Sequence, residues 1–291
     1  MRLLITGANG FTGRHFLASA RTRGYDIVAL EANLTDKEAV QREVAAVAAD
    51  WVVHLAAISF VGHADPSAFY HVNVIGTLNL LSALATLAQP PQSILLASSA
   101  NVYGNCACFP IPEEQSPAPV NHYAMSKLAM EYMARTYLPQ LPLFFVRPFN
   151  YTGCGQEVSF LIPKLVTHFA KRAPMLELGN LEVEREFNDV RFVCDAYFRL
   201  LEKAKPGEVY NVCSGQTVTL KEVLALLSQL TEHHPEVRVN SDFVRANEVH
   251  RLCGNPDKLQ ATIGASQQIP LQDTLRWMLD SVSVIPPALA V

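Results

Sequence analysis

The chain has 291 residues, of which 49% are hydrophobic and 17% charged, so it can bury the large core of one compact unit with a small additional lobe. Its formal charge of -4 gives no basic field to attract nucleic acid or an anionic membrane surface, and we expect neither as a partner. Met1 is followed by an apolar segment at 3–5, with no charged leader and no 18-residue apolar span, and we therefore expect a cytoplasmic location.

The six cysteines are scattered along the chain, in neither a dense disulfide framework nor a paired CxxC pattern. We therefore expect reduced thiols. Cys106 and Cys108 have no second Cys or His pair at metal-ligand spacing, so no metal site is expected.

Short apolar segments in the first half of the chain predict buried strands, and helix-length segments separate them. Strands that are apolar on both faces and alternate with helices are typical of a parallel sheet covered on both sides. The predicted fold class is therefore α/β, with a doubly wound parallel sheet. The predicted strands are residues 3–6, 27–30, 51–55, 94–98 and 143–147.

The pattern loosens after about residue 155, which predicts a sheet domain over 1–155 and a smaller lobe over 156–291. Segments near 186–215 are expected to return to the sheet domain. A helix is predicted over 220–231 after Thr219 as its cap, and the apolar tail 282–291 is expected to be peripheral.

A glycine loop lies between the first predicted strand and the helix that follows it. Gly7, Gly10 and Gly13 recur at spacings of i, i+3 and i+6. Such a tight turn needs residues without a Cβ, both for positive φ and to let a pyrophosphate approach the backbone at the helix N-terminus. Together with the intervening Asn9 and Phe11, the spacing predicts a loop that binds NAD or NADP.

The choice between these two cofactors stays open in the sequence. Glu31 ends the second predicted strand, where an acidic side chain commonly accepts from the ribose hydroxyls and would repel a 2′-phosphate. Arg14, Arg21 and Arg23, on the first helix, would instead attract a 2′-phosphate if one of them reached that pocket.

Tyr123 and Lys127 lie four residues apart in a predicted helix over 122–137, so their side chains share one face. A neighbouring ammonium favours a phenolate, and we expect Lys127 to lower the pKa of Tyr123 for acid–base catalysis. Ser98 and Ser99 follow the fourth predicted strand, at the edge where open parallel sheets bind ligands. Ser99 is the predicted partner of a substrate oxygen, with Ser98 as the alternative.

These motifs together resemble the extended short-chain dehydrogenase/reductases that act on nucleotide sugars, and the resemblance covers nearly the whole chain. It implies a Rossmann domain for the dinucleotide over 1–155 and a lobe that mainly binds the nucleotide sugar over 156–291. The motifs that carry it are the glycine loop and residues 54–57, 73–77, 98–104, 123–127 and 147–150.

The resemblance also implies a role for individual residues. Tyr123 resembles the acid–base residue, Lys127 the residue that holds the nicotinamide ribose and lowers the tyrosine pKa, and Ser99 the residue that orients the reacting oxygen. Further residues implied along the cofactor are Leu55, Ala56, Ala57, Asn73 and Ser98. On the substrate side the implied residues are Asn150, Arg185 and Arg251, with the two arginines pairing with the diphosphate.

Members of such a family carry out 4,6-dehydration, 4-epimerisation or reduction of a 4-keto sugar. Dehydratases carry an acidic residue next to the active-site hydroxyl, whereas this chain has Ala100 and Asn101, which cannot take up a proton. The segments 147–150, 185–190 and 209–215 look most like GDP-4-keto-6-deoxy-mannose reductases and their heptose relatives. The implied activity is NAD(P)H-dependent reduction of a GDP-4-keto-6-deoxy sugar, with a 4-epimerase as the alternative; a dehydratase or a non-catalytic cofactor-binding protein is disfavoured.

Relatives of this kind commonly form homodimers through two helices of each subunit, one of them the tyrosine helix. On that helix the apolar Leu128, Met130, Tyr132 and Met133 permit such a dimer, although the same side chains fit a buried core equally well. The expected partners are therefore a nucleotide-sugar substrate and a second copy of the chain.

Overall fold

The computed structural model describes residues 1–240 and 249–283, and the tail from 284 to 291 lies outside the described residues. In chain order the strands are β1 (Arg2–Thr6), β2 (Asp26–Ala29), β3 (Trp51–His54), β4 (Ser93–Ala97), β5 (Leu143–Pro148), β6 (Tyr151–Thr152), β7 (Met175–Leu178), β8 (Glu184–Arg185), β9 (Asn188–Asp189), β10 (Val209–Val212), β11 (Val218–Thr219), β12 (Glu236–Val239) and β13 (Arg251–Leu252).

The helices are α1 (Phe11–Thr22), α2 (Lys37–Ala46), α3 (Pro66–Tyr70), α4 (Thr77–Ala85), α5 (His122–Arg135), α6 (Leu161–Ala170), α7 (Val190–Lys203), α8 (Leu220–Thr231), α9 (Asp257–Ile263) and α10 (Leu271–Ser283). A π-helical segment at His71–Gly76 joins α3 to α4, and a 3₁₀ turn at Ala100–Tyr103 follows β4.

The central sheet has six strands within the described residues, in the order β2-β1-β3-β4-β5-β10, and all neighbouring strands run parallel. One face packs against α1, α7 and α9, and the opposite face packs against α2, α4 and α5. Because helices cover both faces, the strands are apolar on both sides. The predicted α/β class with a doubly wound parallel sheet is confirmed.

The boundaries of strands and helices predicted from the sequence lie close to those in the structure. Strands β1 to β5 each begin and end within one residue of the prediction. Helix α8 spans the predicted residues, and Thr219 caps it in a capping box with Glu222. Helix α5 ends at Arg135 rather than at 137, because Thr136 and Tyr137 bond three residues back and close the last turn.

The order in which the chain adds strands to the sheet reverses at β1. The chain passes from β1 to its neighbour β2, and then returns across the sheet to β3 on the other side of β1. The loops after β1 and β3 therefore leave the same edge in opposite directions and open a crevice between them, which is where open α/β sheets bind ligands.

The lobe has its own apolar core, in which α6, α8 and α10 pack around Phe169, Leu227 and Leu275. Its strands form small sheets, with β8 between β11 and β13, β7 beside β12, and β6 beside β9. Strand β10 follows the first segments of the lobe in sequence, yet it pairs with β5 in the central sheet. The division of the chain at residue 155 stays a prediction.

Among the described residues, one helical stretch, 66–85, is long and apolar enough to cross a membrane by length and composition alone. Half of its most apolar window is buried inside the protein. Leu80, Leu81 and Leu84 are fully buried in the core between the sheet and α2, so α4 packs here as a core helix.

Candidate active site

The glycine loop after β1 leaves no room for side chains at two of its positions. Gly7 has φ +72°, and a Cβ there would lie 2.7 Å from the backbone nitrogen of Ala56. A Cβ on Gly13 would lie 2.7 Å from the carbonyl oxygen of Ala8 and would also collide with that of Gly7. Gly10 caps α1 without a side-chain hydrogen bond, so the N–H groups of the first turn face outward for a ligand.

The two other predicted residues of this loop differ in their surroundings. Asn9 is exposed in the turn. Phe11 begins α1, and its ring stacks on Tyr151 at 6.0 Å between centroids and contacts His15 edge-on at 5.2 Å. The hydroxyl of Tyr151 in turn bonds Thr12 Oγ1 at 2.7 Å. The side chain of Phe11 therefore packs against the start of the lobe, and only its backbone belongs to the glycine loop.

Residues 55–57 follow β3 and run beside the glycine loop, as the close approach of Gly7 to Ala56 requires. Asn73 is buried and bonds both backbone groups of Ile58, the residue that follows this segment. Its Oδ1 accepts from the N–H of Ile58 at 2.9 Å, and its Nδ2 donates to the carbonyl of Ile58 at 3.1 Å and to Ser126 Oγ at 2.9 Å. Asn73 therefore fixes the loop after β3 to α5, and both donor positions of its amide are engaged within the protein.

A chain of hydrogen bonds beneath this loop fixes the tautomer of His54. The hydroxyl of Thr77 donates to the carbonyl of Asn73 at 2.7 Å, so it must accept from His54 Nε2 at 2.8 Å. The other ring nitrogen, Nδ1, then accepts from the hydroxyl of Thr6 at 2.7 Å, while Thr6 accepts from the N–H of Ala56 at 3.2 Å. Burial first, and the charge of Lys127 second, lower the pKa of His54 to about 3, so the ring is neutral.

Glu31 is exposed where β2 ends, on the far side of β1 from the loop after β3. The three arginines of α1 lie elsewhere. Arg14 donates to the carbonyl of Gly155 at 2.7 Å, and Arg23 forms an ion pair with Asp195 at 2.6 Å. Arg21 is in the last turn of α1, about 15 Å along the helix axis from its start. The structure therefore brings none of them to the end of β2.

Ser99, Tyr123 and Lys127 come together at the carboxyl end of β4. All three are buried, and Ser99 lies near enough to the phenol of Tyr123 to act on its pKa. Ser99 Oγ accepts from the backbone N–H and from the Nδ2 of Asn101, both at 3.2 Å. Because both acceptor positions of Ser99 are occupied, its own proton is left to be donated to another oxygen, such as that of the phenol or of a substrate.

The expected lowering of the Tyr123 pKa is wrong for the protein by itself. Burial raises the pKa of Tyr123, and Ser99 opposes that rise. Lys127 donates instead to the carbonyl of Ala97 at 2.7 Å, one helical turn away from the phenol. Burial also lowers the pKa of Lys127 to about 8, although the carboxylate of Glu131 counteracts it. The structure thus favours a protonated phenol, which is a proton donor.

Buried polar contacts that the sequence did not reveal hold α5 in place. Arg147 on β5 makes a two-pronged ion pair with Glu131, at 2.9 and 2.6 Å, and both side chains are buried. Asn121 caps the helix by accepting from the N–H of Ala124 at 2.9 Å. These contacts set the rotation of the helix and thereby the positions of Tyr123 and Lys127.

The residues proposed for the substrate lie on neighbouring segments of the lobe. Arg185 and Arg251 belong to the paired strands β8 and β13, but the register aligns Arg251 with Glu184 rather than with Arg185. Since successive side chains alternate, the two guanidinium groups start from opposite faces of this sheet. Arg185 bonds the carbonyls of Val249 and His250, whereas Arg251 forms a half-exposed ion pair with Glu184 at 3.1 Å.

Asn150 is exposed between β5 and β6, and its carbonyl accepts from the N–H of Asn188 at 2.9 Å. Nearby, the buried carboxylate of Glu186 joins three segments that are distant in sequence. It accepts from Asn188 Nδ2 at 3.0 Å, from the N–H of Ser214 at 2.7 Å and from the N–H of Gly254 at 2.7 Å. Glu186 therefore fixes the lobe to the end of β10, a role that its neighbours in sequence do not indicate.

This arrangement fits a bound dinucleotide. The backbone of the glycine loop is packed so closely that a Cβ at Gly7 or Gly13 would collide with it or with the loop after β3, and the hydroxyl of Ser98 is buried at the end of β4 without a hydrogen-bond partner. The residues that would hold the dinucleotide are therefore those of the glycine loop, the loop after β3 and the end of β4. Among the described residues, no group of three or more His, Cys, Asp or Glu side chains is placed to hold a metal ion.

Comparisons with known proteins identify the family of the chain. The model of the NAD dependent epimerase/dehydratase family matches residues 3–213. The chain is 36% identical over 269 residues to the GDP-6-deoxy-D-talose 4-dehydrogenase of Aggregatibacter actinomycetemcomitans, which covers 91% of this chain and 92% of that protein. It is 35% identical over 300 residues to the GDP-6-deoxy-D-mannose reductase of Pseudomonas aeruginosa, with 96% of each chain covered.

Among solved structures, RMD from Pseudomonas aeruginosa complexed with NADPH superposes with a TM-score of 0.89 at 33% identity, covering 97% of this chain and 99% of that one. The resemblance drawn from the motifs, to extended short-chain dehydrogenase/reductases acting on nucleotide sugars, is confirmed. The chain therefore belongs to the NAD-dependent epimerase/dehydratase family, and it is an NAD(P)-dependent oxidoreductase.

Proposed function

We propose that this enzyme reduces the 4-keto group of a GDP-4-keto-6-deoxy sugar, of the mannose or heptose type, to the GDP-6-deoxy sugar. The observation that carries the proposal is the placement of buried Tyr123 and Ser99 beside Asn101, a constellation with proton donors but no carboxylate base. Two relatives at 36% and 35% identity are named for oxidation or reduction of GDP-6-deoxy sugars, which supports both the nucleotide and the sugar class.

In this reaction the protein supplies a proton to the sugar oxygen at C4. A bound nicotinamide supplies the hydride that carbon 4 accepts. Tyr123 donates its phenolic proton to the oxygen as negative charge develops there, and Ser99 stabilises that oxygen by a hydrogen bond. The raised pKa of Tyr123 supports this direction, because a reductase needs the neutral phenol as an acid.

The substrate side of the proposal uses the lobe. Asn150 is proposed to contact the sugar, and Arg185 and Arg251 to pair with the diphosphate. Because Arg251 pairs with Glu184 in the protein alone, binding would require it to exchange that carboxylate for phosphate oxygens. A homodimer and a cytoplasmic location remain predictions of the sequence.

The alternative is a 4-epimerase, which uses the same tyrosine and hydride transfer. An epimerase returns the hydride to the sugar, so it keeps its nicotinamide through purification and consumes no reductant. A dehydratase is disfavoured because Asn101 occupies the place of the required base. A non-catalytic cofactor-binding protein is disfavoured because Ser99, Tyr123 and Lys127 are all retained.

The test is absorbance at 340 nm after mixing the purified protein, NADH or NADPH, and enzymatically prepared GDP-4-keto-6-deoxy-mannose. We expect the reduced cofactor to be consumed, and a Tyr123→Phe variant to lose at least about a hundredfold in rate. A Tyr132→Phe variant, on the exposed side of the same helix, is the matched control and should retain full activity. NMR of the product then assigns its configuration at C4, the feature that distinguishes 6-deoxy-mannose from 6-deoxy-talose.

Absence of turnover with both cofactors would rule out this substrate. Appearance of a second nucleotide sugar without consumption of the reductant would instead establish the epimerase.

A further inference from the structure

A second carboxylate lies next to Glu31 at the end of β2. Glu43, on α2, reaches back to the turn that follows this strand. Its Oε1 accepts from the N–H of Glu31 at 2.8 Å, and its Oε2 accepts from the N–H of Ala32 at 2.7 Å. One carboxylate thus occupies both of the first backbone donors of the turn, at the place where Rossmann enzymes contact the adenosine ribose.

The turn itself contains no cation. Residues 31–36 read Glu-Ala-Asn-Leu-Thr-Asp. Asn33 Oδ1 accepts from the N–H and the hydroxyl of Thr35, at 3.1 and 2.9 Å, and Asp36 caps α2. A 2′-phosphate carries up to about two negative charges at neutral pH and is held by Arg, Lys or free backbone N–H groups. The turn offers it carboxylates instead.

The arginines of α1 do not compensate for these charges. Arg14 is bonded to Gly155, Arg23 is paired with Asp195, and Arg21 lies at the opposite end of the helix. A ribose with free hydroxyls has the opposite requirement, because its hydroxyls donate to a carboxylate such as that of Glu31.

We propose that Glu43 is a specificity-determining residue that makes this enzyme prefer NADH to NADPH. It acts in two ways: it occupies the N–H groups of Glu31 and Ala32, which a 2′-phosphate would need, and it adds a second negative charge beside that of Glu31. The inference concerns the hydride donor of the proposed reductase and rests on that function only for the binding of a nicotinamide dinucleotide.

The test is equilibrium binding without any sugar, measured by fluorescence titration of the purified full-length protein with NADH and with NADPH. We expect NADH to bind at least about tenfold more tightly than NADPH. In a Glu43→Gln variant, which keeps the size of the side chain but loses its charge, we expect this ratio to fall at least about fivefold. The ratio should also fall as salt is raised, because the repulsion is between partly exposed charges.

The matched control is Glu38→Gln, which makes the same change of charge at an exposed position in the first turn of the same helix. This variant should keep the native ratio. Thermal unfolding of both variants shows whether each is folded before its affinities are compared.

NADPH binding as tightly as NADH in the native protein would overturn the proposal. So would an unchanged ratio in Glu43→Gln, or an equal change in both variants, since the latter would indicate a general effect of net charge. None of these results depends on the sugar, so a failure of the proposed 4-keto reduction leaves this test intact.

Discussion

The direction of the hydrogen bonds of Ser99, next to the reacting oxygen, depends on Asn101. Its backbone and side-chain N–H groups occupy the acceptor positions of Ser99 Oγ, so that the serine proton is left for the reacting oxygen. A carboxylate at 101 would accept a hydrogen bond from Ser99 rather than donate one to it. Asn101, whose side chain argues against a dehydratase, therefore also orients the hydroxyl of Ser99.

We therefore expect Asn101→Asp to lower the kcat of sugar reduction by about tenfold to a hundredfold, because the Ser99 proton turns toward the new carboxylate and away from the reacting oxygen. The steady-state rates of the two forms measure this, with KM changing less than kcat. Asn101→Ala, which removes the side-chain donor without adding charge, should fall between the two. Equal kcat values for the native protein and Asn101→Asp would refute the orienting role.

Elements are joined beneath the cofactor crevice by the neutral His54. Through Thr6 and Thr77 it links β1, β3 and the start of α4, and it can do so only as the Nε2–H tautomer. A protonated ring would present two donors and would break the bond from Thr6. The order of the loops after β1 and β3 thus depends on a histidine that carries no charge.

This dependence predicts how stability changes with pH. The folded pKa of His54 is about 3, whereas an unfolded histidine titrates near the ordinary value of 6.5, so the unfolded state binds the extra proton first. The contribution of neutral His54 to the free energy of unfolding is complete above about pH 6.5. It is lost as pH falls toward 3, by about 1.4 kcal/mol per pH unit. Urea unfolding at pH 7, 6 and 5 measures it.

A His54→Gln variant should be less stable at pH 7 and should lose most of this dependence on pH, since the titrating group is gone. His63→Gln, at an exposed histidine, should unfold with the native dependence. If the slope were the same in all three proteins, other groups would be responsible for it.

Some elements and site residues were readable from the sequence because their causes are local. Buried strands are short apolar runs, the glycine loop needs backbone space, and Tyr123 and Lys127 follow helical spacing. The supporting carboxylates were not readable. Glu43, Glu131 and Glu186 act on partners that become neighbours only after folding, and alone each looks like an ordinary surface charge.

The same limit explains two outcomes at the site. The pKa of Tyr123 was expected to fall because Lys127 is close along the helix, but burial raises it, and Lys127 donates to the carbonyl of Ala97 instead. Arginines of α1 were considered for a 2′-phosphate, but the lobe and α7 engage Arg14 and Arg23. In both cases, contacts distant in sequence decide the outcome.

At the scale of the whole molecule, large apolar side chains are exposed on α5 and on the π-helical segment. Tyr132, Met125 and Ile75 are 64%, 46% and 41% exposed, whereas Met130 on the same helix is fully buried. The sequence left open whether the apolar side chains of α5 face a partner or the core, and the structure divides them between the two environments. The exposed set is where the predicted homodimer would form.

We expect the native protein to elute as a dimer, with a mass near twice 32.0 kDa by light scattering. Tyr132→Asp should shift it toward the monomer, because a charge at the centre of an apolar contact is costly to desolvate. Val239→Asp, at an exposed apolar residue of the lobe, is the matched control and should leave the mass unchanged. A native protein that is monomeric at micromolar concentration would exclude this interface.

The position of β10 has a consequence for synthesis on the ribosome. Strand β5 emerges with its outer edge unpaired, and the lobe segment from Leu161–Ala170 to Val190–Lys203 must emerge before β10 can cover that edge. An uncovered edge strand is a template for pairing with other chains. A nascent chain paused between residues 148 and 209 is therefore the form of this protein most exposed to aggregation, and the one on which a chaperone has most to act.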